Sequence, residues 1–291
     1  MAHDPRTADA AGCLYVVATP IGNLGDITQR AIDTLSKVDA VAAEDTRHSA
    51  RLLQHLGLHK PLIALHDHNE RARSGALLDR VAGGEQIALV SDAGTPLISD
   101  PGFVLVREAR ERGLRVVPIP GASALITALS AAGLPTDRFV FAGFPPAKNK
   151  ARQDFLAALA NETGTLVFYE SPHRVRDTID AMVACFGETR QVVLARELTK
   201  TFEQFYDATL GALQALLEAD PNASRGEMVL IVAGAAPVDN SLAQATGLDI
   251  DRLLKALLSE LPVKSVARIA ADATGIPKNQ LYERALQLKT S

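Results

Sequence analysis

Cysteine is scarce in this chain: Cys13 and Cys185 are the only two in 291 residues, and both have apolar neighbours. Two isolated thiols build neither a disulfide framework nor a thiolate zinc site, and they suit a reducing cytoplasm. Long apolar runs are also missing. No window approaches the roughly eighteen consecutive apolar residues of a bilayer-spanning helix, so no membrane partner is expected. Positions 1–12 are polar and alanine-rich, without the basic start and apolar stretch of a secretion signal, and read as a disordered leader. Positive charge is not in surplus either. The formal net charge is −4, whereas non-specific nucleic-acid binders tend to be basic, because each phosphate contact uses Lys or Arg and releases counterions. DNA is not expected as a partner, and an RNA partner would have to be met by local patches.

Several chemical motifs are absent as well. The spacing Gly22-x-x-Gly25 lacks the earlier glycine of a dinucleotide fingerprint, and no Gly-Lys-Ser/Thr follows it, which demotes NAD and ATP. No Cys-x-x-Cys pair and no Ser-His-Asp order stands out, so hydrolase and zinc chemistry have no motif. No metal site is expected.

What remains is an ordinary globular composition, 47% hydrophobic and 22% charged, long enough for two domains. Short β-branched runs at 14–18, 40–43, 62–65, 87–90 and 114–118 alternate with helical spacing at 28–38, 46–56, 70–82, 101–112 and 122–132, which is α/β patterning. Asp100 before Pro101 reads as an N-cap followed by a proline at the first helical position. After the break Gly143-Phe144-Pro145-Pro146, strand-like runs recur at 166–169, 192–196, 202–207 and 228–233. Ser171-Pro172 repeats the cap-then-proline start for a helix to about 186, and 209–219 reads as another helix. Beyond 235 the pattern is helical only, with an amphipathic 250–261 and a helix–turn–helix-like pair around Thr274-Gly275-Ile276-Pro277. The expected organisation is an α/β domain at 13–135, a second at 136–235, a linker at 236–249 and a small helical module at 250–291.

Val90-Ser91-Asp92-Ala93-Gly94-Thr95-Pro96 is the best chemical signal. It leaves the carboxyl end of a buried strand, where open α/β sheets bind ligands, and offers a carboxylate, bare backbone and a hydroxyl to a small zwitterion. A tight turn needing Gly and Pro explains it equally well. Pro118 to Ala124 also leaves a strand and opens a helix, with small residues that permit close approach of a ligand; plain capping by Ser123 accounts for that turn as it stands. Of the polar clusters at 44–48, 66–70 and 170–174, the second has ligand-type side chains (His66, Asp67, His68, Glu70) that solvated caps explain. Arg47 and Arg174 suit bidentate phosphate contacts. Lys148, Lys150 and Arg152 form one positive patch, and the tail, richer in Lys and Arg than in Asp and Glu, forms another.

Taken in order, LYVVATPIGNLGDIT, AAEDTRHSARLLQHL, HDHNE, LVSDAGTPLISDPG, PIPGASALITAL, FVFAGFPP, FYESPHRV, ARELTKTFEQFY and GEMVLIV resemble the S-adenosylmethionine (SAM)-dependent tetrapyrrole methylase superfamily. Within it they resemble the bacterial 16S rRNA cytidine 2′-O-methyltransferases. The resemblance runs from about Leu14 to Ala233 and takes in the helical tail. It implies two α/β domains with SAM in the cleft between them, a homodimer, and methylation of cytidine 1402 in the decoding region of 16S rRNA. By matching position, Pro20, Ala93, Gly94, Thr95, Ile98, Ser123, Ala124, Tyr169, Glu170, Met228 and Val229 would meet SAM. Where tetrapyrrole enzymes commonly carry Gly-Asp-Pro, this chain has Gly94-Thr95-Pro96, and Asp92 stands nearby to replace the lost acid.

A ribose hydroxyl needs its proton removed before it can attack, so a general base is expected. The candidates are Glu44, Asp45, or Lys200 if burial keeps it neutral. Arg47 would clamp a phosphate, and Lys264, Arg268, Lys278 and Arg284 would dock RNA if the tail is an RNA module rather than a dimer-packing or solvated bundle. Two other functions fit parts of the pattern: a precorrin or uroporphyrinogen C-methyltransferase, and a non-catalytic RNA-binding assembly factor.

Overall fold

The computed structural model describes residues 12–220, 222–236 and 250–290; the leader at 1–11 and the linker positions 237–249 lie outside them. The chain divides into two compact units, Met1–Ala235 and Ala236–Ser291.

The first unit holds two sheets. Strands β1 (Cys13–Val17), β2 (Ala40–Ala43), β3 (Leu62–Ala64), β4 (Gln86–Val90) and β5 (Arg115–Ile119) pair in the order β3-β2-β4-β1-β5, all parallel. A parallel sheet is covered on both faces, which is why its strands are nearly continuous apolar runs. Leu14, Ile87 and Leu89 pack with Leu77, Leu78 and Leu105 of α3 (Glu70–Ala82) and α4 (Phe103–Glu111). The alternate residues Val17, Ala88 and Val90 pack with Ala31, Leu35 and Leu53 of α1 (Gln29–Lys37) and α2 (Thr46–His55). Each fully buried Leu of this kind contributes about 1.5–3 kcal/mol.

Helix α4 does not start at Asp100-Pro101. Its N-cap is Gly102, at φ 126, and Phe103 is its first residue. The orphan N–H of Leu105 is taken by Glu70 Oε1 of α3 at 3.0 Å, so a buried carboxylate from another helix supplies the cap and Asp100 is left for another role.

The second sheet comprises β6 (Phe139–Gly143), β7 (Thr165–Glu170), β8 (Gln191–Arg196), β9 (Gln204–Thr209) and β10 (Met228–Val232), in the order β6-β7-β10-β8-β9. Only β6 and β7 are parallel; β10 runs antiparallel to β7 and β8, and β9 antiparallel to β8. One face is covered by α6 (Asn149–Leu159), α7 (Val175–Phe186) and α8 (Leu210–Ala219). The other is covered by α5 (Ala124–Ala131), whose Leu125, Ala128 and Leu129 pack on Val167, Val193, Val229 and Ile231. The last helix of the first lobe thus seals the second. Helix α7 starts at Val175, not after Ser171: the N–H of Ser171 is donated to Glu170 Oε1 at 2.8 Å, and a turn intervenes. Strand β9 begins at Gln204, leaving Phe202 in the preceding loop and 73% exposed.

The second unit is a three-helix bundle, α9 (Ile250–Leu258), α10 (Val263–Thr274) and α11 (Lys278–Thr290), around Leu254, Val266, Ala270, Leu281 and Ala285. Gly275, left-handed at φ 71, ends α10, as a C-terminal glycine does. Among the described residues, no helix is long and apolar enough to cross a membrane.

Candidate active site

Loops at the ends of both sheets line one cavity of about 370 Å³. From the first lobe come Ala93, Gly94, Thr95, Ile98, Ser123 and Ala124; from the second come Tyr169, Glu170, Met228 and Val229. The fold therefore gathers ten of the residues expected to meet SAM. Gly94 is required twice over: it sits at φ 81, and a Cβ there would come within 3.2 Å of Ile21 Cγ2. Its backbone pairs reciprocally with Thr19, at 2.8 and 3.1 Å, tying the loops after β1 and β4 together.

Pro20 and Asp92 do not line the cavity. Pro20 lies between Thr19, which pairs with Gly94, and Ile21, which does line it. Asp92 turns toward β2 and accepts the N–H of Asp45 at 3.0 Å, so it does not replace the acid missing at Thr95. The Thr95 hydroxyl is itself donated to the carbonyl of Ala122 at 3.0 Å. The acid that the cavity does contain on this side is Asp100. Burial, opposed by a hydrogen bond from Ser91 and reinforced by Asp92 and Asp67, raises its pKa to about 6.

Ser123 occupies the N-cap position of α5 but makes no capping bond. The N–H of Leu125 is donated instead to Tyr169 Oη of the second lobe, at 3.0 Å. Burial pushes the Tyr169 phenol up, so it stays protonated. Glu170, buried beneath the cavity, accepts the hydroxyl of Thr178 at 2.6 Å.

Motif reading missed Ile21, Ser99, Asp100, Phe144, Ser171, Pro172, Leu198 and Glu227 on the wall. Two loops carry strain that marks them: Leu97 and Ser99, then Glu197 and Thr199, all have positive φ without being glycine. Such conformations gather where the surrounding structure over-determines them.

The candidate bases separate clearly. Glu44, at the end of β2, is raised to about 7 by burial and by Asp92, Asp100, Asp67 and Asp45 around it. Asp45 is lowered to about 2 by its bonds from Arg47, and so weakly basic a carboxylate is a poor proton acceptor. Lys200 is not neutral: burial pulls it down, but bonds to Glu197 and Glu227, both 3.0 Å, outweigh burial and raise it.

The cationic candidates divide as well. Arg47, 86% exposed, is paired with Asp45; Lys148, Lys150, Lys264, Arg268 and Lys278 are exposed. Arg284 holds α11 to α9 through Asp251, and Arg174 leans on Glu170 at 3.6 Å. Arg152 is a correction. At 3% exposure, bound to the carbonyl of Ala147 and to Asp177, it faces the interior of the fold and offers nothing to a phosphate. His66 is engaged by Asn69, and among the described residues no three His, Cys, Asp or Glu are placed to hold a metal ion.

Among the described residues, the cavity wall carries Asp100, Glu170 and Glu227 and no Lys, Arg or His. Glu170 is ion-paired with Arg174 and Glu227 with Lys200, which leaves Asp100 as the wall carboxylate without an ion-pair partner among the described residues. With apolar Ile21, Leu198, Met228 and Val229 it fits a cation-bearing ligand with an apolar body. SAM, with its sulfonium, ammonium and adenosyl group, is such a ligand.

A parallel lobe and a mixed lobe joined over such a cavity define the tetrapyrrole methylase class. The family model for tetrapyrrole (corrin/porphyrin) methylases matches residues 13–214, and a model for the RsmI C-terminal HTH domain matches 244–289. The chain is 54% identical to the ribosomal RNA small subunit methyltransferase I of Haemophilus influenzae over 96% of its own length and 98% of that protein's. It is also 54% identical to the protein so named in Escherichia coli O157:H7, covering 97% and 98%. Among solved structures it resembles the methyltransferase CobJ, with a TM-score of 0.59 at 20% identity covering 78% and 95%. A uroporphyrin-III-C-methyltransferase from Thermus thermophilus matches with a TM-score of 0.55 at 20% identity, covering 76% and 94%. The chain belongs to the tetrapyrrole methylase family, in its ribosomal RNA small subunit methyltransferase I branch, and is a methyltransferase.

Proposed function

We propose that the chain methylates the ribose 2′-hydroxyl of a cytidine in 16S rRNA, cytidine 1402 of the decoding region, using SAM. The observation that carries the donor half is the cavity wall, which has carboxylates and apolar side chains but no cation among the described residues. The acceptor half is supported by relatives named for the small ribosomal subunit at 54% identity, against 20% for the tetrapyrrole enzymes of the same fold.

SAM supplies an electrophilic methyl carbon, so positioning and proton removal fall to the protein. Ala93, Gly94, Thr95, Ser123 and Ala124 would hold its polar end, and Met228 and Val229 its adenine. Asp100 would balance its positive charge. Glu44, held near neutrality, accepts the hydroxyl proton, and Arg47 exchanges Asp45 for a phosphate of the acceptor strand. Lys148 and Lys150, with Lys264, Arg268 and Lys278 on the helical module, supply further phosphate contacts. A homodimer in the cytoplasm follows from the family resemblance, and light scattering of the full chain tests the dimer.

The reaction is tested by incubating the full chain with tritiated SAM and, separately, small ribosomal subunits, naked 16S rRNA and a uroporphyrinogen-type macrocycle. Label is expected in the rRNA. Label confined to the macrocycle, or transferred to none of the three, contradicts the proposal.

A further inference from the structure

Strand order divides the cavity into two ends. Around the ends of β1, β8 and β10, Ile21, Leu198 and Val229 belong to one apolar cluster with α5. On the far side of β7, β6 delivers Phe144, facing Ile98, Ser99 and Asp100 of the first lobe. The lobes approach closely there: a Cβ on Gly143 would lie 3.5 Å from Ser99 Oγ. Asp100 in turn interacts with Asp92, Asp67 and Glu44. Glu44 itself does not line the cavity; the Asp100 side, where Phe144 stands, is the side whose charge acts on it.

Phe144 lines the cavity with half of its surface exposed. It is nonetheless held firmly. Its ring meets Tyr169 edge-on at 5.6 Å, Phe141 meets the same tyrosine at 4.8 Å, and Tyr169 is anchored to Leu125. The segment behind it is clamped by two guanidinium groups: Arg174 donates to the carbonyl of Pro145, and buried Arg152 donates to that of Ala147 at 3.2 Å. Arg152 keeps a buried Nε without a partner among the described residues. A buried charge that incompletely satisfied is costly, and its evident result is a fixed loop presenting one aromatic ring.

We propose that Phe144 is the stacking platform for the acceptor nucleobase, placing its ribose between SAM and Glu44. This positioning role rests on the ribose-methylation reading above. Single-stranded and loop bases are recognised by stacking on aromatic side chains, which bind any base face and hold the nucleotide in register. A ring left open beside apolar Ile98, on a rigid loop at the acceptor end, meets those requirements.

The chain contains no tryptophan, so Phe144→Trp introduces a single indole, which can be excited apart from the four tyrosines. With S-adenosylhomocysteine present, its emission should be quenched by an rRNA fragment carrying the target. Quenching by S-adenosylhomocysteine alone, unchanged by the fragment, would place the ring on the cofactor's adenine and overturn the proposal. In steady-state assays, Phe144→Ala should raise KM for the small subunit about tenfold, the loss of one base–aromatic stack. SAM affinity should stay within about twofold, and Phe144→Tyr should recover most of the loss. Wild-type transfer to rRNA with an unaltered KM in Phe144→Ala would refute the platform alone. Absence of wild-type transfer to rRNA would refute the ribose-methylation reading and the platform with it.

Discussion

The two lobes reach the same cavity by different routes. In the first, every strand runs the same way, so the loops after β1, β4 and β5 all emerge at the carboxyl edge and meet there. In the second, β10 runs against its neighbours, so Met228 at its start stands beside Glu170 and Arg196 at the ends of β7 and β8. The first lobe contributes contiguous loops with the small residues and acids that handle a ligand. The second contributes two short runs from distant segments, 169–172 and 227–229, which bring Glu170 and Glu227 as well as apolar wall. The proposed base, Glu44, and the Gly94 loop belong to the first lobe, the Phe144 loop and its buried clamp Arg152 to the second, and substitutions should separate the two.

The largest effects are expected in the first lobe, at Gly94 on SAM binding and at Glu44 on turnover. Gly94→Val puts a branched side chain at positive φ against Ile21 and should weaken SAM binding by at least about 100-fold, ~2.7 kcal/mol, in calorimetry. An unchanged circular dichroism spectrum would show that the loss is local. Retained affinity would mean that the first lobe's loop is merely a turn.

Next is Glu44. Glu44→Gln should lower kcat by roughly 10²–10⁴-fold with SAM affinity unaltered. Wild-type kcat should rise through about pH 7, as the carboxyl raised by burial and neighbouring acids ionises, and the variant should lose that rise. Stability should move the other way. The folded-state value, about 7, lies above the ordinary 4.5, so the protonated form favours folding; that contribution is complete below about pH 4.5 and is lost as pH rises through 7. Tm of Glu44→Gln should therefore exceed wild type at pH 8, and the gap should close near pH 4.5.

The second lobe should respond in stability. Arg152→Ala removes a buried guanidinium that joins Ala147 to Asp177, and about 2–3 kcal/mol should be lost in urea unfolding. An unchanged midpoint with a shallower salt dependence of RNA binding would return Arg152 to the list of phosphate contacts. The smallest effect belongs to Arg47→Ala. That side chain is 86% exposed, so stability should change by less than about 0.5 kcal/mol, while the salt slope of RNA binding should fall by about one.

The same contrast explains what could be read from the amino-acid sequence. All five strands of the first lobe, and the loop around Gly94, were legible because parallel strands are apolar runs followed directly by their functional loops. Tyr169, Met228 and Val229 came only from resemblance, since antiparallel pairing brings them together without any local signature. Asp100 reads as a helix cap because the buried Glu70 that caps α4 is a tertiary partner no local pattern reveals, and Ser171 reads as one although its N–H is taken by the carboxylate of its own neighbour, Glu170. Arg152 looked like part of a basic patch. Its neighbours Lys148 and Lys150 are exposed, and only packing distinguishes them.

The most direct test of the account is the position of the transferred methyl. Small subunits methylated by the wild-type chain should, after complete nuclease digestion and mass spectrometry, yield labelled 2′-O-methylcytidine, and Glu44→Gln should yield it far more slowly. A methyl found on the base rather than on the ribose, or transferred by Glu44→Gln at the wild-type rate, would contradict it.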